Sequence, residues 1–147
     1  MTTISHHASK PHQPHWFASA PLRFLALLAL CSAYIQGPLV KIFDFQGAQA
    51  EMAHFGLLPA PLFAVGVILF ELTMSALVLS GFYRRMAALA LAAFTLAATG
   101  LALRFWEMPA GMERTMATNA FFEHLGLAGA FVYVAAMETA VLRAKAR

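Results

Sequence analysis

Glu71 is the residue whose type and position carry the most chemistry. It is the only charged residue between Pro61 and Tyr83, in a run that is otherwise almost wholly apolar. A carboxylate that deep in hydrocarbon costs roughly 3 kcal/mol or more, so the group must be paired or protonated. Ser75 lies one turn further along the same helical face. The pattern reads as a proton-accepting or ligand-binding carboxyl in a cavity, or as a hydrogen-bonding group that holds two helices together. Glu123 and His124 form a second signal, since an acid beside an imidazole can relay a proton. Adjacent helical residues diverge by about 100°, so the two cannot point the same way. Glu123 continues a stripe of Asn119, Gly126 and Ala130, which places it in a bundle interior. His124 then faces a neighbouring helix or the headgroup region, and the plainer reading of the pair is a polar cap near a membrane surface. Tyr34, Gln36, Lys41 and Asp44 end the first apolar run at the depth of Asn119, Glu123 and His124. A shared polar cluster is expected there, with Lys41 paired to Glu123 or Asp44. The candidate proton-handling residues are thus Glu71, Glu123 and His124. The candidate cofactor-binding residues are Tyr34, Gln36, Lys41, Asp44 and Asn119. Glu138, near the opposite end of the last run, is expected to pair with Arg23 or Arg84 in a structural role.

Other chemistries find no residues to carry them. Cys31 is the only cysteine, so neither an internal disulfide nor a dithiol couple can form. Bulky Leu30 argues against a lipid-modified cysteine, and Cys31 reads as a small buried side chain. His6, His7, His12 and His15 cluster near the amino terminus, with spacing that matches no closed metal site. A bis-histidine haem needs two ligands on facing helices, and His124 is the only histidine in an apolar run. No metal is expected.

These residues must be positioned by helices in lipid. Of the 147 residues, 61% are hydrophobic and 12% charged, where a soluble domain carries about a quarter charged. Mean hydropathy is +0.68. The expected fold is all-α, an integral membrane four-helix bundle, with spans at about 21–42, 61–83, 86–106 and 119–142. Each is long enough for a hydrocarbon core of roughly 30 Å. Residues 1–20 read as a disordered tail rather than a cleaved signal, and 143–147 as a basic tail. Gly37-Pro38 predicts a kink or an early end to the first helix. Residues 44–58 form a connector whose Phe43, Phe45, Met52, Phe55 and Leu57 suit a half-embedded surface helix. A loop broken by Pro109 and Gly111 is expected from Glu107 to about Thr118.

Basic residues fix the expected orientation. Lys10, Arg23, Arg84, Arg85, Arg143, Lys145 and Arg147, seven of the ten, fall on one side. The positive-inside rule places that side, with both termini, in the cytoplasm. Because the cations sit at the ends of apolar runs, nucleic acid is not an expected partner. Leucine burial does not drive helix association in lipid, so small residues must let backbones approach. The alanines of the third span and the Gly126–Ala130 stripe of the fourth are the expected seams.

Several segments, in order, resemble the DoxX family of small membrane proteins. They are Arg23 opening the first helix, Gly37-Pro38-Leu39-Val40-Lys41-Ile42-Phe43-Asp44, and Gly56-Leu57-Leu58-Pro59-Ala60-Pro61. Glu71, the Gly81–Arg85 turn and Asn119-Ala120-Phe121-Phe122-Glu123-His124-Leu125-Gly126 complete the resemblance. It implies a four-helix bundle in the bacterial inner membrane. The family name comes from a subunit of a quinol oxidase complex, which implies a quinone as cofactor and redox-complex subunits as partners. The chain shows no redox centre of its own, so it would be at most an accessory subunit of a membrane oxidoreductase. The alternatives are a non-catalytic assembly or stress protein and a small transporter module, which would have to form homo-oligomers to enclose a path.

Overall fold

Proline opens both early spans where its missing N–H costs nothing, with Pro21 and Pro61 in the first turn of their helices. In a computed structural model describing residues 19–145, five α-helices follow one another. They are α1 (Ala20–Phe43), α2 (Phe45–His54), α3 (Ala60–Ser80), α4 (Arg84–Ala102) and α5 (Met112–Lys145), with a 3₁₀ turn at Phe105–Glu107. There is no strand among the described residues. The helices α1, α3, α4 and α5 are long and apolar enough to cross a membrane, so the protein is a four-helix membrane bundle. The expected tail over 1–20, with its four histidines, lies outside the described residues except for Ser19 and Ala20.

Three boundaries differ from the sequence reading. Pro38 does not end α1, which continues to Phe43 with Pro38 buried inside it. Without water to take up freed backbone groups, continuing the helix beyond the proline satisfies more of them than stopping would. The helix ends at Asp44, whose carboxylate accepts the Gly47 amide at 2.9 Å and so caps α2. At the other end of the sequence, α5 begins at Met112 rather than at Asn119. Pro109 and Gly111 break the chain only as far as Gly111. The turn before α5 is held by aromatic packing, with Phe105 5.2 Å from Trp106 and 5.4 Å from Phe121 between ring centroids. The basic segment at 143–147 continues α5 as far as Lys145.

The seam on α5 also differs. Gly126 is exposed, and a Cβ built there would meet nothing within 4 Å. The side of α5 turned inward carries Ala117, Ala128, Phe131 and Ala135, all buried, with His124 and Glu138 at the same spacing. A gap of seven from Ala117 to His124, then gaps of alternately four and three residues as far as Glu138, make this a straight stripe toward the neighbouring helices. The α4 seam forms from part of the expected alanines: Ala87, Ala88 and Ala92 are buried together with Leu91, whereas Ala93 and Ala97 are exposed. Cys31, Val78, Leu91 and Phe131, all with 0% exposure, make the centre of the core.

The two ends of the bundle are built differently. At one end, Gly81 closes α3 with φ +85°, a conformation that favours glycine. Arg84 then reaches back, its Nε donating to the Val78 carbonyl at 2.7 Å. Its guanidinium also lies 3.3 Å from Glu138, which Arg23 meets at 2.8 Å. One carboxylate therefore ties α1, α4 and α5, while Arg84 satisfies a terminal carbonyl of α3. The structural pairing expected for Glu138 is present with both arginines. At the opposite end, α2 lies against α3, with Ala48, Met52, Ala60 and Ala64 packed together.

Candidate ligand cavity

Between α3 and α4, in the half of the bundle nearer α2, small side chains leave space. Ala97, Ala98 and Ala102 on α4 face Phe63 and Val67 on α3 across a cavity of about 360 Å³. Helix α2 and the chain after it supply Met52, Phe55 and Leu57. The walls are nearly all apolar, and only Lys41, Glu51 and Glu71 bring charge-bearing groups to them.

Lys41 and Glu51 form an ion pair at 2.7 Å. The reversal at Asp44 brings it about, because α2 turns back and carries Glu51 to the last turn of α1. Glu71 is half-buried on α3 and turned toward α1, with Oε2 3.8 Å from where a Cβ on Gly37 would lie. Among the described residues, Glu71 makes neither an ion pair nor a hydrogen bond. It is a carboxyl group on an otherwise oily wall, beside a charged pair at the rim. Such a pocket can hold a flat apolar ring and offer its oxygen a proton donor or acceptor.

A second polar group lies on the other side of α4. Tyr34 Oη hydrogen-bonds to Thr95 Oγ1, and Thr99 Oγ1 lies 2.9 Å from His124 Nδ1. Each threonine has one hydroxyl hydrogen. Thr95 directs its own to the Leu91 carbonyl at 2.7 Å, and Thr99 directs its own to the Thr95 carbonyl at 2.6 Å. Tyr34 and Thr95 share one hydrogen bond, and His124 meets Thr99 through Nδ1, with Nε2 apart from this ladder. Tyr34 also packs edge-on against Phe131, with ring centroids 5.3 Å apart. The ladder joins α1, α4 and α5 where the core is tight. Ser75, 1% exposed, faces the Cys31 thiol but has no hydrogen-bond partner among the described residues.

The chain matches the DoxX family over residues 22–104. It belongs to the DoxX family. The matched stretch covers α1 through α4 and includes every residue around the DoxX cavity, from Lys41 to Ala102. It stops short of α5, and so short of Glu123 and His124. No curated protein and no solved structure matches the chain.

The expected residues thus fall into separate places in this DoxX protein. Glu71 and Lys41 share the cavity. Tyr34 and His124 belong to the hydroxyl ladder. Glu123, expected in the interior, is exposed, because the inward stripe of α5 passes through His124 instead. Gln36, Asp44 and Asn119 are exposed as well. The partner of Lys41 is Glu51, neither Glu123 nor Asp44, and Asp44 serves as a cap. Glu51, Thr95 and Thr99 were missing from the sequence-derived site. The threonines carried a usable signal, since both continue the small-residue face of α4 at four-residue spacing. Glu51 carried none, because only the reversal at Asp44 brings it to Lys41.

Proposed function

We propose that this protein is a quinone-binding accessory subunit of an oxidoreductase in the bacterial plasma membrane, with both termini in the cytoplasm and the α2 end outward. The observation that carries the reading is the Glu71 carboxyl, free of any ion pair among the described residues, on the wall of an apolar cavity of about 360 Å³. Reducing a quinone takes two electrons and two protons. A carboxylic acid can pass one proton to a ring oxygen and be reloaded from the α2 side, past the Lys41–Glu51 pair. In the reverse direction the carboxylate accepts a proton from a quinol. The electrons are supplied by a partner subunit. The side chains packed between Val78, Leu91 and Phe131 favour a site open to one side over a solute path through a single bundle.

The test is thermal unfolding of the purified protein in detergent, with and without a tailless benzoquinone. The midpoint should rise with the quinone in the parent. In Glu71→Gln it should rise less or not at all, with the apo midpoint preserved. A parent midpoint that does not move at saturating quinone would refute the reading. Analysis of the lipids, quinones and proteins that co-purify in mild detergent would identify the partner.

A further inference from the structure

The cavity does not end at its own walls. A groove of about 410 Å³ lies beside it on the α3–α4 side of the bundle, lined by Leu62, Phe63, Gly66, Val67, Phe70 and Phe94. Three of these, Phe63, Val67 and Phe94, also line the cavity that holds Glu71. The two spaces therefore meet across shared side chains. Phe70 and Phe94, with ring centroids 5.1 Å apart, lie together along the groove. At Gly66 a Cβ would meet nothing within 4 Å. No steric demand of the fold requires glycine there, and its effect is to leave a notch in the wall of α3.

We infer that this groove holds the hydrocarbon tail of the ligand whose ring occupies the Glu71 cavity, and that the ligand enters sideways from the bilayer between α3 and α4. The inference rests on the proposed function, since it takes the ring to sit beside Glu71. The chemistry divides cleanly between the two spaces. Every group able to exchange a proton or carry charge is on the cavity, and the groove offers only hydrocarbon and aromatic faces. A molecule with a polar ring and a long apolar tail matches that division, whereas a small polar solute does not. Because a tail leaves lipid for the groove, contact with the groove walls rather than escape from water sets its affinity.

Two probes separate the parts: a tailless dimethoxy-methyl-benzoquinone, and the same ring carrying a decyl tail. Both are titrated against the full-length protein in nanodiscs, for the parent and for Gly66→Leu. The leucine fills the notch from a position that does not itself line the cavity. The tailed quinone should bind the variant about tenfold more weakly than the parent, corresponding to roughly 1.4 kcal/mol. The tailless ring should bind both equally. Equal affinity of the tailed quinone for parent and variant would overturn the groove assignment and leave the ring site standing. Failure of the parent to bind either probe would overturn the ring site and the groove together. Should Gly66→Leu fail to assemble, a quinone with a diazirine at the tail end decides the matter in the parent. Labelling within residues 62–70 or at Phe94 supports the groove, and labelling confined to α1 or α5 refutes it.

Discussion

At the scale of single residues, two carboxyls that look alike in sequence have opposite surroundings. Glu71 lies on a cavity wall, while Glu123 is exposed near the end of α4, at the level of the Thr99–His124 contact. Glu123→Gln should leave both stability and quinone-induced stabilisation unchanged, and Glu71→Gln should reduce or abolish the second. Melting curves of the two variants side by side check this, and a loss of stabilisation in Glu123→Gln would assign the proton chemistry wrongly. The Lys41–Glu51 pair should contribute little to the fold, since Glu51 is 44% exposed and pairs of that kind are worth about 1 kcal/mol or less. Glu51→Gln should therefore barely alter the apo melting midpoint. Glu71 was legible in sequence because an isolated acid in an apolar run has few explanations. Glu123 was misplaced because one glycine and one alanine were taken for the seam. The full run of Ala117, His124, Ala128, Phe131, Ala135 and Glu138 determines which side of α5 turns inward.

At the scale of helices, close packing belongs to α4. Ala88 is fully buried, so Ala88→Leu forces extra volume into a filled core and should destabilise the bundle by about 1–3 kcal/mol. Gly126→Leu meets open space and should be tolerated. A chemical-denaturation comparison of the two variants tests the assignment, which fails if Gly126→Leu is the more damaging. The α3–α4 turn is a second sensitive point. Gly81 has φ +85°, and a Cβ there would also lie 2.9 Å from Arg84 Nη2. Gly81→Ala should cost about 1 kcal/mol or more, read as a lower melting midpoint. Helix number and approximate spans were visible in the runs of apolar residues. Helix ends were less so. Whether Pro38 stops a helix depends on whether water is present to accept the freed backbone groups, and sequence periodicity does not carry that information.

At the scale of the whole molecule, the bundle is solid at the Arg84 end and hollow at the α2 end. Glu138 clasps the solid end, and Glu138→Gln weakens its hold on Arg84 and Arg23. The expected cost is about 2 kcal/mol, the scale of a hydrogen bond to a charged group, measurable by unfolding in detergent. Orientation follows from the proposed topology. Reporter fusions after Gly56 and Gly111 should behave as external, and a fusion after Arg85 as cytoplasmic. A cytoplasmic signal at Gly111 would reverse the membrane sidedness of the cavity.

That difference between the two ends also bears on the electric field across the membrane. A potential falls where matter is dry and weakly polarisable, and with apolar walls around the cavity that includes both halves of the bundle. A proton travelling between Glu71 and the α2 side crosses only the hollow half. It therefore moves through about half of the roughly 2.3 kcal/mol that each 100 mV imposes on a charge carried all the way across. Protonation of the bound ring should proceed faster in vesicles held negative on the Arg84 side than in depolarised ones, with about half the voltage dependence of a full crossing.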